Sequence, residues 1–325
     1  MLMNGVKKQF IDELEEGDTV NSMFAVKFKK PPRKYKSRSK GGEWFEVRLT
    51  DKTGEITAKY WGDDKIYTNK IYRSFDKGDV IYLRGRVVAY GEGLEISMEK
   101  EGLRKCLPEE YDTSDFVEIC SKDIDEMMSQ LMDIIRSTEE PYRSLLLSLF
   151  GDEDFAEKFK KSPAAMHRHH SYIGGLLEHT LNVVRICQRV HELHPELDYS
   201  LMVSGAMIHD IGKIREFDVG TTIEMSEEGM LLGHITIGVQ MLLERIARTE
   251  DFPERIKLKL VHIILSHHGK NEYGSPKIPQ FPEAHVVYFA DDLDAKVDYT
   301  INLKERAETE DLWIWKKDVG HIYLK

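Results

Sequence analysis

The sequence predicts a multidomain α+β protein with a small antiparallel β-barrel at its N-terminal end and an all-α domain after it. The main observation is a change of period: apolar and polar residues alternate along residues 19–100, and apolar residues recur at helical spacing from residue 107 onward. The second observation is that all 13 histidines lie at or after His167, which indicates a use for imidazoles in the second half. The predicted segments are a barrel at 15–106, a helical linker at 107–160, an all-α domain at 161–307 and a tail at 308–325.

Five segments between residues 19 and 100 carry the strand pattern, with turn signals between them. They are VNSMFAVKFKK, EWFEVRLTD, GEITAKYWG, DVIYLRGRVVAYG and LEISMEK, and TDKTGE joins the second to the third as a hairpin. Short antiparallel strands in this number are typical of an OB-fold, a barrel that binds oligonucleotides.

Helical spacing begins in the linker, where the pattern is broken near Pro141. The all-α domain then offers further helical segments, which are GGLLEHTLNVVRICQRVHEL, YSLMVSGAMIHDIGK, GHITIGVQMLLERIAR, ERIKLKLVHIILSHHG and AHVVYFADDLDAKVDYTINLKERAE. The short aromatic tail, TEDLWIWKKDVGHIYLK, fits neither pattern.

Composition excludes several protein classes. The chain is 41% hydrophobic and 32% charged, as in globular proteins with real cores. It has no apolar run of the roughly 18–20 residues that a membrane span needs, and its first residues lack the apolar segment of a secretory signal. The cysteines, Cys106, Cys120 and Cys187, are odd in number and widely spaced, so we expect reduced thiols and a cytoplasmic protein.

Charge is distributed unevenly along the chain. The formal net charge is −11, yet residues 1–110 hold 22 Lys/Arg against 19 Asp/Glu, and residues 111–325 hold 24 against 38. A polyanionic ligand is therefore expected to bind first to the N-terminal part.

The predicted helices bring metal-ligand side chains to apolar faces or helix ends. These side chains are His179, His209, Asp210, His234, His267, His268 and Asp291. Any one of them alone is more simply explained as a core residue with its own polar partner. Together, they are more simply explained by one or two shared divalent ions.

The residue types narrow the choice of metal. Imidazoles and carboxylates without a thiolate suit Mn²⁺, Fe²⁺, Co²⁺, Ni²⁺ or Zn²⁺ better than Ca²⁺. His209 and Asp210 are about 100° apart on a regular helix, and an end of the helix near Gly212 would let both converge. A carboxylate can bridge two ions about 3.5–4 Å apart, as in two-metal phosphoester enzymes, and Asp210 is the natural bridge.

The order H…HD…D of His179, His209–Asp210 and Asp291 resembles the HD-domain phosphohydrolases, and LLEHT and HDIGK are close to their usual wording. His234 and the doublet in SHHGK are similar to the dinuclear subgroup. The resemblance implies one ion on His179, His209, Asp210 and Asp291, and a second on Asp210, His234, His267 and His268. HHGKNEYGSPKIP lacks the Gly-Tyr-Pro signature of the related cyclic-dinucleotide phosphodiesterases.

The pairing of an OB-like barrel with such a domain resembles the YhaM family of 3′→5′ exoribonucleases over roughly residues 15–305. HHSYIGGLLEHTLNV, HDIGKIREF and YFADDLDAKVD carry most of the likeness. It implies removal of nucleotides from the 3′ end of single-stranded RNA with two divalent ions, Mn²⁺ above all. Single-stranded DNA is a further possible substrate, and a homo-oligomer is a possible assembly.

Polar residues near these ligands have candidate roles in catalysis. Asp210 and Lys213 are the candidate catalytic residues, with Lys213 holding a phosphate oxygen; the alternative is a surface lysine at a helix end. His170, in MHRHHSYIGG, is a candidate contact to the phosphate or leaving group; the alternative is a solvated loop. Asp294 follows Asp291 by about one turn and is expected to orient a ligand imidazole.

A basic segment in the barrel is the candidate nucleic-acid contact. Residues 27–40 hold eight Lys/Arg and no acid, and such a segment attracts phosphates. Exposed aromatic rings, with Trp44 among the candidates, would stack on bases. The predicted contacts are Arg33, Lys34, Tyr35, Lys36, Arg38, Arg48, Lys59 and Trp61, of which Arg48, Lys59 and Trp61 would form a surface strip. The alternative is an ordinary solvated face.

Two other functions stay open at this stage. One is a phosphohydrolase of small or cyclic nucleotides with a regulatory barrel. The other is a non-catalytic protein that binds single-stranded nucleic acid.

Overall fold

A computed structural model describes residues 7–36, 41–91, 93–166, 168–307, 309–317 and 319–325. The described residues form two compact units. One comprises Met1–Glu118 with Val219–Ile223, and the other Ile119–Asp218 with Glu224–Lys325. The predicted fold class is confirmed, since an OB barrel precedes a helical domain.

Among its described residues, the first unit contains seven main strands and one α-helix. They are β1 (Thr19–Lys29), β2 (Arg33–Lys34), β3 (Glu43–Asp51), β4 (Gly54–Trp61), α1 (Lys65–Tyr72), β5 (Val80–Tyr90), β6 (Gly93–Met98) and β7 (Arg104–Lys105).

Five of these strands close into a barrel. β1 pairs with β3 on one side and β5 on the other, β3 pairs with β4, and β6 joins β4 to β5. All pairings are antiparallel except β4 with β6. β2 extends the sheet at β3, and β7 at β5.

Strand alternation fills the barrel as the sequence predicts. Phe45, Val47 and Leu49 point inward from β3 and are at most 1% exposed. Trp44 and Arg48 on the opposite face are half-buried. Because side chains alternate between faces along a strand, β3 carries core residues and candidate ligand contacts together.

Helix α1 lies where the sequence predicted no element. Its N-cap is Asp64, whose carboxylate accepts a hydrogen bond from the Tyr67 amide. Ile66 and Tyr67 are 82% and 50% exposed. The apolar residues of this short helix therefore do not follow one buried face, and the helical period is weak.

The second unit contains nine α-helices within the described residues. They are α2 (Ile124–Ser137), α3 (Tyr142–Phe150), α4 (Glu153–Lys161), α5 (Gly175–Leu193), α6 (Tyr199–Ile208), α7 (Lys213–Glu216), α8 (Glu227–Ile246), α9 (Glu254–Ser266) and α10 (Pro282–Glu305).

One small hairpin differs from the all-α expectation for residues 161–307, and a second lies in the tail, for which the sequence predicted no element. β8 (Phe217–Val219) pairs with β9 (Ile223–Met225) between α7 and α8. β10 (Trp313–Lys316) pairs antiparallel with β11 (Gly320–Tyr323) in the tail. Strands of three or four residues are too short to show a period in the sequence.

The core of the helical unit surrounds α6. All residues of α6 after Tyr199 are buried, and they pack with apolar side chains of α5, α9 and α10. A helix buried on every side places whatever follows its C-terminal end inside the domain. No helix in the described ranges is long and apolar enough to cross a bilayer.

Candidate metal centre

Three helices bring the first set of ligand side chains together. His179 lies in α5, His209 caps the C-terminal end of α6, and Asp291 lies in α10. The Nε2 atoms of His179 and His209 are 3.3 Å apart. Oδ1 of Asp291 lies 3.2 Å from the first of them and 4.0 Å from the second.

The chain between α6 and α7 explains how His209 and Asp210 meet. Residues 209–212 form a turn rather than a regular helix. Within it, His209 Nε2 lies 3.3 Å from Asp210 Oδ2. Gly212 allows this turn to approach α8, since a Cβ there would lie 2.0 Å from the His234 carbonyl oxygen.

The other carboxylate oxygen of Asp210 faces a second set of imidazoles. Oδ1 lies 3.6 Å from His234 Nε2 and 3.4 Å from His267 Nε2. A ligand nitrogen of His268 lies within 4.8 Å of those of His234 and His267. His234 reaches this second set because α8 is kinked at Gly233, where φ is +70°. Asp210 therefore stands between the two sets.

All five imidazoles direct Nδ1 at the protein. Their partners are Asp294 Oδ2 for His179, the Ala206 carbonyl for His209, Glu216 Oε1 for His234, the Ile264 carbonyl for His267 and the Tyr273 carbonyl for His268, at 2.7–3.0 Å. Because each partner accepts a hydrogen bond, Nδ1 carries a proton, and in the neutral imidazole Nε2 keeps its lone pair. This pattern is typical of imidazoles that bind metals.

Unpartnered atoms show that this arrangement fits divalent ions. Asp210 Oδ1, His234 Nε2 and His267 Nε2 are buried without a hydrogen-bond partner among the described residues. Such atoms are costly unless something else binds them. One ion would be held by His179, His209, Asp210 and Asp291, and a second by Asp210, His234, His267 and His268.

The carboxylates of the centre stay ionised despite burial. Burial alone would raise the pKa of Asp210, but the nearby Lys213 and His209 hold it well below its usual value. Burial opposes ionisation of Asp291 too, and the hydrogen bond from His179 lowers its pKa. Both side chains therefore offer anionic oxygens.

The imidazoles differ in their tendency to take up a proton. Burial and then the neighbouring His267 and His234 lower the pKa of His268 to about 3, and burial lowers that of His267. Burial also disfavours a charged His179, but hydrogen bonds to Asp291 and Asp294 raise its pKa to about 9. The carboxylates of Asp291 and Asp294 therefore favour positive charge at His179.

Lys213 lies inside the centre. It begins α7, is 6% exposed and places Nζ 2.5 Å from Asp210 Oδ2. The alternative of a surface lysine at a helix C-terminus is therefore wrong.

The position of His170 does not favour the predicted contact with phosphate. It is 2% exposed, with Nδ1 2.8 Å from the Tyr172 hydroxyl and Nε2 2.9 Å from Asp294 Oδ2. Its positive φ of 43° turns the side chain into the domain, where both nitrogens have protein partners. Its neighbour His167 lies outside the described residues.

Two further residues lie beside the centre: His169, which belongs to the predicted donor cluster in MHRHHSYIGG but was not its preferred member, and Glu216, which the sequence analysis missed. His169 is half-buried, with its ring centroid 5.3 Å from that of His179. Burial and then Lys213 lower its pKa to about 3. Glu216 accepts hydrogen bonds from both Nδ1 and the backbone amide of His234. The histidine cluster was a signal for His169, but an isolated glutamate in HDIGKIREF gave none.

Three cations of the basic segment lie in solvent, whereas Lys27, Lys29 and Lys30 form ion pairs with acidic residues outside the segment. Arg33, Lys34 and Lys36 are exposed, and Arg33 pairs with Trp44 across β2 and β3. The predicted contact Arg38 lies outside the described residues.

Three aromatic rings beside this segment form a stack. The ring centroids of Tyr35 and Trp61 are 6.1 Å apart, and those of Trp44 and Trp61 are 5.3 Å apart. Trp61 is the middle ring, although it is 38% exposed.

The predicted strip of Arg48, Lys59 and Trp61 is not a free cationic surface. Lys59 is 8% exposed and pairs with Glu95 at 2.7 Å. Arg48 pairs with Glu55 at 3.0 Å. The parallel pairing of β4 with β6, which the alternation did not reveal, brings Glu95 beside Lys59.

Comparison with known families agrees with the two units. The sequence model of the HD domain matches residues 176–296, and that of the OB-fold nucleic acid binding domain matches residues 29–102.

Two curated relatives span most of the chain. The 3′-5′ exoribonuclease YhaM of Shouchella clausii is 34% identical over 80% of this chain and 78% of its own length. The protein of that name from Bacillus subtilis is 32% identical over 83% and 82%. Among solved structures, the HD domain of the phosphodiesterase PgpH from L. monocytogenes covers 51% of this chain and 80% of its own, at 18% identity and a TM-score of 0.30.

Proposed function

The chain belongs to the YhaM family of 3′-5′ exoribonucleases, and from this premise we propose that it hydrolyses single-stranded RNA at a centre of two divalent ions. The reaction is metal-dependent removal of nucleotides from the 3′ end. The proposed ligands of one ion are His179, His209, Asp210 and Asp291, and those of the other are Asp210, His234, His267 and His268. Mn²⁺ is the proposed metal.

One observation carries the proposal of two ions. The two oxygens of Asp210 face different sets of imidazoles, with Oδ2 3.3 Å from His209 Nε2 and Oδ1 3.4 Å from His267 Nε2. A single ion would leave one of the two sets of imidazoles without a metal to bind. A bridging carboxylate satisfies both sets at once, which supports the dinuclear arrangement.

The chain's own residues prepare the site for a phosphodiester. When bound, paired divalent ions supply a water of lowered pKa and neutralise charge on phosphate. Lys213 is buried beside Asp210 and is proposed to hold a non-bridging phosphate oxygen. His169 is half-buried at the same place and is proposed to contact the leaving group. Preorganised donors of this kind are worth most where water is excluded.

The barrel is proposed to capture the RNA strand. Arg33, Lys34 and Lys36 are proposed to attract the phosphate backbone, and the stacked rings of Tyr35, Trp44 and Trp61 are proposed to contact bases. Stacking on an aromatic ring contributes about 1–3 kcal/mol per base. The buried ion pair of Lys59 argues against a direct contact by that residue.

The cysteines support a cytoplasmic location. Cys106, Cys120 and Cys187 are free and buried, as expected of a protein from a reducing compartment.

The test follows the fate of each RNA end. Full-length protein, stripped with chelator and reloaded with Mn²⁺, is expected to shorten 5′-labelled RNA stepwise and to release mononucleotide from 3′-labelled RNA. Elemental analysis is expected to give two ions per chain. His209→Ala and Asp210→Asn are expected to abolish both hydrolysis and full metal loading.

A matched control is His194→Ala, since His194 is exposed and pairs with Glu196 outside the centre. It should keep full activity. Hydrolysis of cyclic dinucleotides or nucleoside triphosphates in preference to RNA would contradict the proposed substrate, and one ion per chain would contradict the bridge. Cleavage of single-stranded DNA and self-association stay predictions, testable with DNA oligonucleotides and by sedimentation.

A further inference from the structure

A buried hydrogen-bond network begins behind His179, on the side away from the proposed ions. Asp294 Oδ2 lies 2.7 Å from His179 Nδ1 and 2.9 Å from His170 Nε2. An ionised carboxylate only accepts hydrogen bonds, so both imidazoles donate to the same oxygen. Burial opposes ionisation of Asp294, but the hydrogen bonds from His170 and His179 hold its pKa well below the usual value.

The network continues from His170 to the surface of the domain. His170 Nδ1 lies 2.8 Å from the Tyr172 hydroxyl, which donates to Glu178 Oε2 at 2.7 Å. Glu178 also accepts from Cys120 Sγ at 3.0 Å and pairs with Lys122 at 2.6 Å. Five successive contacts thus connect a proposed metal ligand with an exposed lysine.

The backbone of His170 is held in a conformation that non-glycine residues rarely adopt. Its φ is +43°, which costs free energy unless the surroundings enforce it. Its amide donates to Asp298 Oδ2 at 2.8 Å, and its carbonyl accepts from the Ala164 amide at 3.0 Å. Gly175 leaves room for that carbonyl, because a Cβ there would lie 2.0 Å from the oxygen.

We propose that His170 is a positioning residue for the first ion: it fixes Asp294, which in turn fixes the tautomer and orientation of His179. The inference rests on the metal centre of the proposed function. His170 itself contacts neither ion, since both its ring nitrogens have protein partners. Partners of ligand imidazoles typically change metal affinity by about 10–100-fold when removed.

A rival interpretation uses the same three side chains as a third ion site. Ligand atoms of His170, His179 and Asp294 lie within 4.8 Å of one another. Against it, both His170 nitrogens and His179 Nδ1 make hydrogen bonds of 2.7–2.9 Å that an ion would have to break. The positioning role keeps all of these bonds.

The test compares Mn²⁺ binding by the full-length wild type with that by His170→Ala, His170→Gln and Asp294→Asn. Calorimetry and the electron paramagnetic resonance signal of free Mn²⁺ measure the binding. In His170→Ala we expect one site weakened about 10–100-fold, with the other unchanged. His170→Gln keeps a donor for Asp294 and is expected to recover part of the affinity. The absorption spectrum of bound Co²⁺ should change for the weakened site only.

His191→Ala is the matched control, because His191 lies on the same helix as His179 but outside the network, and it should bind both ions as wild type does. The inference is overturned if His170→Ala binds both ions at wild-type affinity, if it weakens both sites equally, or if wild type binds a third ion that the variant loses. A wild type that binds no ion would instead overturn the proposed metal centre.

Discussion

At the scale of single residues, burial decides what each side chain can do. Asp210 is 2% exposed and Lys213 6% exposed, and each offsets the charge of the other. Removing one partner of a buried pair leaves the other uncompensated. The centre therefore depends on charge balance as well as on ligand geometry.

Lys213→Met tests the phosphate role. The methionine keeps an apolar stem of similar length but removes the charge, so kcat on RNA should fall by about 10²–10³-fold, as for loss of one preorganised donor. The measurement is steady-state kinetics with Mn²⁺ at saturation. An unchanged kcat in a variant that retains its ions would contradict the role.

The cysteines give a prediction about pH. Burial raises the pKa of Cys106 and Cys120 to about 11 and that of Cys187 to about 12, from a usual value of 9.0. The native protein should resist iodoacetamide at pH 8, and mass spectrometry should count three adducts only after unfolding. Because the unfolded thiols ionise first, their contribution to stability is complete below pH 9 and is lost as the pH rises toward 11.

Rapid modification of the folded chain at pH 8 would contradict this description of the thiols. The free thiolate is the reactive species, so the rate reports the thiolate fraction together with the access of the reagent to each buried sulfur.

At the scale of elements, the centre depends on helix ends. α6 ends at Ile208 and α7 begins at Lys213, and the turn between them directs His209 and Asp210 to one point. The kink at Gly233 does the same for His234 in α8. Regular helices through either position would point adjacent residues about 100° apart.

Gly212→Ala tests the contact between the turn and α8. The new Cβ would meet the His234 carbonyl oxygen at 2.0 Å and the Gly238 nitrogen at 2.7 Å. We expect a loss of about 1–3 kcal/mol in the free energy of unfolding, as for overpacking, and weaker binding of the second ion. Urea denaturation and Mn²⁺ titration measure the two effects.

Gly220→Ala is the control, because a Cβ at that glycine meets nothing within 4 Å. Equal destabilisation by the two substitutions would contradict a specific role for the contact between the turn and α8.

At the scale of the whole molecule, the uneven distribution of charge distinguishes the proposed capture of RNA from its hydrolysis. The chain carries −11 overall, but residues 27–40 hold eight cations and no acid. Binding that neutralises phosphates weakens with salt, because counterions are released. Capture of long RNA should therefore depend on salt more strongly than hydrolysis does.

Replacing Arg33, Lys34 and Lys36 by Gln tests this division. Each phosphate contact contributes about 0.7 to the salt slope of single-strand binding, so the slope should fall by about 2, with kcat on saturating RNA unchanged. Fluorescence anisotropy of labelled RNA across a salt series measures the salt slope. The same substitution of Lys158, Lys160 and Lys161 on α4 should leave the slope unaltered, and a fall there too would contradict a barrel-specific contact.

The sequence by itself determined the two architectures and predicted the members of the proposed ligand set. Period two against period 3.6 separates strands from helices because side chains alternate on a strand and rotate by about 100° on a helix. His179 and the pair His209–Asp210 could be predicted because ionisable side chains interrupt apolar helical runs, and the resemblance to the HD-domain phosphohydrolases implied Asp291.

Only the tertiary structure decided which polar side chains share a partner. Lys59 is paired because β6 lies parallel beside β4, and His170 faces Asp294 across 124 positions of sequence. The roles of His169 and Glu216 likewise follow from contacts between separate segments. Local sequence encodes the period of an element, but hydrogen bonds and ion pairs depend on distances that the packing of distant elements sets.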